Sequence, residues 1–599
     1  MATIPHPARD DQRIILHFDY DCFYASVFEA SNPILKTLPL AVQQKQIVVT
    51  CNYEARRRGL HKLQLIKEAK QVCPDVVIVL GEDLTRFRDA SKDLYHFLRG
   101  FAADAWGQTQ RVEKLGFDEI FMDVTELVMF NVGLLNANDL GNSFFCLDMK
   151  DPTVGFGFDA RVVCGHTYPD AGAGSVQHGS GLSENDSQLY IRLLLASHLA
   201  GYLRAQLEEK KGYTATAGIS TSKLLAKVVG STHKPNGQTT LLPPYASKEG
   251  NDGSNVLNFL DSHEIRAIPG IGSKLSRKIS SYIAAKDESK AEEKVTVRDV
   301  RSFPGMGPPL LDKVLGGPGA PRDIGVKIWG FLHGVDNTQV GEARDTPTQI
   351  SIENSYGHLD TFEAVRKELL LLSASLIRRM RTDLTESYSD EATSNASQRL
   401  KSPEASKEKL RWLARPRTLR LSTVPRPVPG SDTTQLRGSS RISHSAPLPQ
   451  FVFNLDDSVD ALAERLVRES AISMFRKLHR DRTSWNLRVL NLAVTNMAEV
   501  AGDAKHNSGR DISKMFQRRE TEEEHKDANS TTGPSPVQLS GEHVSPTPLS
   551  LPAASGLWES DGDSDGEVER MPCVPCTICG AMIPHFALVA HEVYHSSEQ

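Results

Sequence analysis

The sequence predicts an α+β multidomain protein, and three observations carry that expectation. At 599 residues the chain is longer than one hydrophobic core serves, so several domains are expected. Short strand-like apolar runs alternate with helical patterns through residues 13–245 and return in 347–500. Stretches that are polar, or rich in Ser, Pro and Gly, interrupt and follow them. Composition is ordinary for a soluble protein, 39% hydrophobic and 24% charged. No apolar run approaches the roughly 18 residues of a membrane span. The polar stretch Met1 to Gln12 has no apolar segment of a secretory signal. Five of the eight cysteines are scattered through the first third and three cluster at 573–579, which is no disulfide framework; a reducing compartment is expected. The net charge of −6 argues against nucleic acid only if charge is spread evenly, and it is not.

Residues 1–12 read as a flexible start. Ile14–Tyr20 is an apolar run that ends in charge and reads as a buried strand. Gln46–Thr50 is a second hydrophobic segment, followed by a helical pattern from Cys51, and Val76–Leu80 is another short strand. Leu84–Phe101 has helical periodicity. Val112–Val124 reads as strand, turn, strand, with Asp118 and Glu119 at the turn. Residues 131–186 are rich in Gly and Asn and read as surface loops with one strand at Arg161–Cys164. Leu189–Glu208 is an amphipathic helix, Thr214–Ile219 a strand and Ser222–Val229 a helix. Residues 246–342 read as a small helical domain. In 347–500, strands at Thr348–Glu353, Thr418–Ser422 and Asn486–Thr495 alternate with helices at Thr361–Arg381 and Val459–Leu478. A polar stretch (383–408) and a Pro/Ser-rich one (425–449) interrupt them. Residues 501–571 have the composition of a disordered linker, and 572–599 read as ordered again. No internal repeat is expected.

Chemistry concentrates in two places of the first segment. Asp19 and Asp21 end one apolar strand; Asp118 and Glu119 stand at the edge of another. Burying such carboxylates is costly unless they are paired or bind metal. If the strands are neighbours, three or four carboxylates meet at one sheet edge. Mg²⁺ takes octahedral oxygen ligands and combines a few carboxylates with phosphate oxygens. Two such ions activate an attacking hydroxyl and stabilise a leaving phosphate. Asp19 is therefore expected to bind Mg²⁺ at a nucleotidyl-transfer site, with the Tyr20 carbonyl as a further oxygen. Taken alone, either acidic pair reads first as solvated turn residues; it is the set with the motifs below that turns the reading to metal. Tyr53 and Arg56, three apart at a helix start, share one side and suit a phosphate. Lys234, ahead of Pro235, offers a point charge, and the amides of Cys22 and Phe23 can cradle phosphate oxygens.

Phe18–Ala25, Asn52–Arg56, Gly116–Glu119 and Lys234–Gln238 stand in the order and spacing of the signature segments of the Y-family, translesion DNA polymerases, which the chain resembles from residue 13 to about 500. The resemblance implies a right-hand polymerase: a palm over 13–245 with fingers inserted at about 38–102, a thumb over 246–342 and a little finger over 347–500. It implies that Asp19, Asp118 and the Tyr20 carbonyl hold the metal carrying the triphosphate, and that Asp19, Asp118 and Glu119 hold the metal at the primer 3′-hydroxyl. Tyr24 takes the steric-gate position under the sugar, while Asp21 is expected to be structural. The dNTP contacts implied are Cys22, Phe23, Tyr24, Tyr53, Arg56 and Lys234. Within the family Leu40–Lys45, Val49–Arg56, Gly81–Arg86, Leu115–Glu119 and Gly165–Tyr168 resemble the iota group. That likeness places Gln44 and Ile47 over the templating base; the matching apolar position in that group is Leu, so Hoogsteen pairing stays open.

Ile268–Gly272 fits the hairpin of a helix-hairpin-helix, where Gly270 and Gly272 let backbone amides reach a DNA phosphate. Between Lys401 and Arg441 there are ten Lys and Arg against three Asp and Glu, a local basic excess suited to a duplex backbone or to a solvated insert. Cys576-x₂-Cys579 and His591-x₃-His595 have Cys₂His₂ zinc spacing and resemble the ubiquitin-binding finger of the eta group, except that Val593 replaces that group's Asp. Ile512, Met515 and Phe516 resemble a degenerate motif for docking on the sliding clamp PCNA. The expected activity is template-directed, low-fidelity translesion synthesis from dNTPs on primer-template DNA, with Mg²⁺ (or Mn²⁺) and a Zn²⁺ finger, in a nuclear monomer. Alternatives are an eta-type enzyme that bypasses UV damage, and a non-catalytic scaffold joining ubiquitin, PCNA and DNA. A nuclease or cyclase with the same two-metal logic fits the gate and the hairpin less well.

Overall fold

The structure is a computed structural model. It describes residues 7–106, 111–170, 183–245, 253–286, 294–317, 319–341, 346–357, 359–388, 409–426, 441–480, 485–499, 573–575 and 582–584. The chain divides into two compact units, one built on residues 1–343 with 548–599 and the other on 344–547.

The first unit is centred on a six-stranded mixed sheet. β1 (Ile15–Tyr20) emerges fully buried up to its last residues and leads through Asp21 and Cys22 into α1 (Phe23–Ser31). Cys22 adopts the left-handed conformation, φ 47°, which turns the chain sharply from strand to helix. A small three-stranded sheet follows: β2 (Leu40–Gln44), β3 (Ile47–Cys51) and β4 (Val77–Leu80), with β2 in the middle. Two short helices, α2 (Tyr53–Arg57) and α3 (Ile66–Val72), lie between β3 and β4. Asn52 starts α2. It is buried, and its Oδ1 accepts from Ala55 N at 2.9 Å and Leu40 N at 3.1 Å while its Nδ2 donates to Leu38 O and Glu29 Oε1, both at 2.9 Å. One side chain thus caps the helix and pins it to the loop ahead of β2.

After α4 (Thr85–Trp106) the chain returns to the large sheet as β5 (Val112–Leu115) and β6 (Glu119–Asp123), a tight hairpin turned at Gly116, φ +68°. Then come α5 (Thr125–Leu134), a separate hairpin of β7 (Ser143–Cys146) and β8 (Gly155–Phe158), and β9 (His166–Tyr168). The long α6 (Glu184–Lys211), capped by Ser183 and ended by Gly212 at φ +78°, leads to β10 (Ala215–Ser220), α7 (Lys223–Gly230) and β11 (Gln238–Leu241). The order across the sheet is β5-β6-β1-β10-β11-β9, with β1 antiparallel to both neighbours. α7 presses against β10 through two glycines: a Cβ on Gly218 would lie 1.9 Å from Ala226 O, and one on Gly230 3.0 Å from Gly218 N.

Five helices complete the unit: α8 (Asn255–Asp261), α9 (Ser273–Ala284), α10 (Val297–Ser302), α11 (Pro308–Leu315) and α12 (Ile324–Leu332). One short turn occurs twice among these helices. Pro269-Gly270-Ile271-Gly272 and Pro304-Gly305-Met306-Gly307 make the same turn. Each has its first Gly at positive φ (+87° and +75°), the next residue buried, and a helix beginning directly after the second Gly. A four-residue motif recurring once is too short to register as periodicity.

The second unit has a four-stranded antiparallel sheet, ordered β12-β17-β15-β16, backed by helices. Its elements are β12 (Gln349–Ser355), α13 (Phe362–Leu384), β13 (Thr385–Tyr388), β14 (Lys409–Trp412), β15 (Ala414–Pro425), β16 (Ile442–Pro447), α14 (Val459–Leu466), α15 (Ile472–Leu478) and β17 (Leu487–Glu499). A π turn, Val467–Ala471, joins α14 to α15. β18 (Cys573–Pro575) and β19 (Met582–Pro584) form a last small hairpin, which is counted with the first unit.

Three loop expectations are corrected. Residues 131–186 hold β7, β8 and β9, while Arg161–Cys164 is no strand. There Asp159 Oδ1 accepts from Arg161 N at 2.9 Å and its carboxylate pairs with the Arg161 guanidinium, folding the backbone into a turn. The polar stretch 383–408 opens with β13, and the Pro/Ser-rich stretch 425–449 contains β16, an edge strand whose residues alternate half-buried and exposed. Edge strands need only one apolar face, so their composition resembles that of loops. The residues expected to bind zinc (Cys576, Cys579, His591, His595) and to dock on PCNA (Ile512, Met515, Phe516) lie outside the described residues.

Candidate active site

The antiparallel pairing of β1 with β6 sets Asp19 directly opposite Glu119. Asp118, in the turn just before β6, accepts through its carbonyl from Tyr20 N at 2.8 Å. The three carboxylates predicted from separate motifs therefore stand together at one end of two neighbouring strands. Lysines address two of them: Lys234 Nζ donates to Asp19 Oδ2, and Lys227 Nζ donates to Glu119 Oε2 at 2.6 Å. Asp118 bears the cost of the crowding. Burial, then the charges of Asp19 and Glu119, push its carboxyl up to about 6. It keeps an open face to solvent, which moderates that cost. Burial also pushes Glu119 upward, but His17 and Lys227 outweigh it and hold the group at about 2.

Among the described residues no three His, Cys, Asp or Glu side chains close around a common point. The chemistry of the set nevertheless fits a hard divalent cation. It offers carboxylate oxygens from neighbouring strand ends, and the charges of Asp19 and Glu119 add to burial in raising the Asp118 carboxyl, against the opposing charge of Lys234.

Asp21 does something else. Its Oδ1 accepts from Thr216 Oγ1 at 2.9 Å and its Oδ2 from Asn236 N at 2.9 Å, and it is buried. It ties the end of β1 to β10 and to the turn that carries Lys234. Cys22 is half-buried and burial pushes its thiol up to about 12, so its main offering here is backbone. The amides of Cys22, Phe23 and Tyr24 precede the first intrahelical bond, which Ala25 N makes to Cys22 O at 2.7 Å, while the Phe23 ring is buried in the core. Tyr24, one residue on, is half-buried, and its ring stacks on Phe87 at 4.2 Å and meets Phe117 at 6.2 Å. Burial raises its hydroxyl to about 12, so it stays neutral.

On α2 the Arg56 guanidinium lies over the Tyr53 ring, 4.6 Å from its centroid, and its Nε donates to Cys51 O at 3.2 Å. Burial first, then the charges of Cys22, Asp21 and Asp19, raise the Tyr53 hydroxyl to about 12, which places α2 within electrostatic reach of the end of β1. Gln44 and Ile47 are cross-strand partners in the small sheet, and Gln44 Nε2 donates to Gly81 O at 2.6 Å. They form a unit of their own, with no hydrogen bond to the carboxylates among the described residues. Gly270 is held by its φ of +87° and by the Phe331 ring, 2.5 Å from where a Cβ would stand. Gly272 begins α9.

The sequence reading missed four participants: His17, Thr216, Lys227 and the second hairpin at Gly305–Gly307. The alternation of β1 already put His17 on the face of Asp19, and Lys223 and Lys227 are one helical turn apart.

Residues 18–231 match the impB/mucB/samB family, and residues 347–508 match the C-terminal domain of the same family. Over 381 residues the chain is 34% identical to DNA polymerase iota of Homo sapiens, covering 64% of this chain and 43% of that protein. It is 40% identical over 247 residues to DNA polymerase iota of Drosophila melanogaster, covering 41% of this chain and 29% of that one. A bacterial relative, DNA polymerase IV of Exiguobacterium sibiricum, is 27% identical over 61% of this chain and 76% of its own length. The chain thus spans less than half the length of the iota relatives it matches. Both of its structural units carry the matching segments, and the chain belongs to the impB/mucB/samB family.

Proposed function

We propose that the protein is a template-directed, low-fidelity translesion DNA polymerase. The observation that carries this reading is the meeting of Asp19, Asp118 and Glu119 at adjoining strand ends, with Lys234 on Asp19 and Tyr53, beside Arg56, within reach of the Asp19 charge. The names of the relatives support it. The six-stranded sheet serves as palm, the β2–β3–β4 sheet with α2 to α4 as fingers, the α8–α12 region as thumb, and the second unit as little finger.

Asp19, Asp118, Glu119 and the Tyr20 carbonyl would hold Mg²⁺, which when bound would neutralise phosphate charge and acidify the primer 3′-hydroxyl. Lys234, Arg56, Tyr53 and the Cys22–Phe23 amides orient the triphosphate. Tyr24, wedged against Phe87, fills the space that a ribose 2′-hydroxyl needs. Gln44 and Ile47 cover the templating base, and the two glycine hairpins approach the duplex backbone. The chain positions its reactants and arranges charge, and the primer hydroxyl displaces pyrophosphate. Asp19→Ala is expected to abolish primer extension, measured on a labelled primer-template, with DNA affinity within about threefold of wild type. Undiminished extension would refute this site.

The finer reading extends to the C-terminal end. β18 and β19 pair on either side of residues 576–581, which hold Cys576 and Cys579 of the zinc spacing. Zn²⁺ bound by those two with His591 and His595 is tested by metal content: one zinc per chain, lost in Cys576→Ala. Ubiquitin and PCNA as partners rest on the sequence motifs, and a nuclear location on the proposed activity. Pull-down of PCNA that survives replacing Ile512, Met515 and Phe516 with Ala would remove that motif from the reading.

A further inference from the structure

His17 sits on the same face of β1 as Asp19, two residues before it, and is 2% exposed. Its register partners are Phe121 on β6 and Gly218 on β10. The ring lies 4.7 Å from the Phe121 ring, and α7 closes over this face through Gly218. Neither ring nitrogen has a hydrogen-bond partner. An imidazole buried so costs free energy, because its lost hydration is not replaced. The nearest charged group is Glu119, whose Oε2 stands 3.9 Å from His17 Nε2, beyond hydrogen-bond length but within electrostatic reach.

Lys227 converges on the same oxygen, Oε2, at 2.6 Å. Oε1 of Glu119 makes no hydrogen bond among the described residues. The carboxylate is therefore addressed on one side only, from beneath α7, and its other oxygen is left for whatever binds at the end of the strands. We propose that His17 and Lys227 are positioning residues for Glu119: they engage Oε2 so that Oε1 is presented to the divalent cation. A neutral imidazole suffices, since Nε2–H donates once Glu119 moves about 1 Å closer. Partners behind a metal-binding carboxylate fix its orientation and sharpen its affinity. This accounts for an unpartnered histidine kept in an apolar layer where a phenyl ring would pack as well. The proposal rests on the polymerase reading.

Three variants test it. His17→Phe keeps the ring and removes the donor, His17→Gln restores a donor, and Lys227→Met removes the second contact. Single-turnover insertion on a primer-template is expected to slow about tenfold to a hundredfold in His17→Phe and Lys227→Met, with the dNTP dissociation constant unchanged within about twofold. Mn²⁺ affinity, titrated by electron paramagnetic resonance on the full chain without dNTP, is expected to fall in parallel. His17→Gln should recover most of both. The melting temperature of His17→Phe should stay close to that of wild type, because relieving an unsatisfied polar ring in the interior offsets the lost attraction to Glu119; a residue that merely props the fold would lower it clearly. Insertion by His17→Phe within threefold of wild type, or His17→Gln as impaired as His17→Phe, overturns the proposal. If the wild-type chain extends no primer, the polymerase reading fails. The Mn²⁺ comparison still decides the role of His17.

Discussion

Two residues show how local surroundings settle a role. Tyr24 is held by Phe87 and Phe117 rather than by a hydrogen bond, so its ring is a fixed wall. Tyr24→Ala should leave dNTP insertion nearly intact and raise rNTP insertion by about a hundredfold, read from competing single-nucleotide additions. Asp118, held at about 6, keeps its proton more tightly folded than unfolded. Its contribution to stability is therefore complete below the unfolded value, near pH 4, and lost as pH rises through about 6. Glu119, at about 2, runs the other way: its contribution is present above the ordinary value near 4.5 and is lost only as pH falls through about 2. Thermal melts in EDTA should thus find Asp118→Asn more stable than wild type at pH 8, with the difference closing by pH 4. A variant less stable at pH 8 would show that the carboxylates do not repel one another.

At the scale of elements, the short helix α2 depends on a residue outside it. Asn52 spends both ends of its amide on the cap of α2 and on the chain before β2. Asn52→Ala should cost about 2–3 kcal/mol in urea unfolding and raise the dNTP dissociation constant, because the Tyr53–Arg56 pair loses its footing. Long, strongly patterned elements were legible in the sequence: β1, α4, α6, α13 and β17 fall where periodicity puts them. The carboxylate strands were legible as well, because an apolar run ending in Asp announces itself. What escaped were elements defined by partners rather than by pattern. β16 reads as loop until β15 lies beside it, and β9 is only three residues of a parallel edge. His17 and Lys227 escaped for the same reason: their significance lies in a shared oxygen that no spacing along the chain reveals.

Across the whole molecule, charge is divided unevenly. Residues 347–500 carry 23 Lys and Arg against 18 Asp and Glu, although the chain as a whole is at −6. A DNA-binding reading of the second unit then requires steep salt dependence. Primer-template affinity should fall by about a thousandfold between 50 and 200 mM salt, in filter-binding or anisotropy titrations, and residues 347–500 alone should reproduce most of that slope. A flat response would move DNA binding elsewhere. One further consequence comes from the glycines between α7 and β10. The absence of a side chain at Gly218 lets the helix settle low on the sheet, and Lys227 descends with it onto Glu119. A single methyl group at that position would act as a spacer under the helix, withdrawing an ammonium from a carboxylate it never touches. The strength of this charge set is in this sense metered by backbone clearance on a neighbouring strand, where selection can adjust it without altering any charged residue.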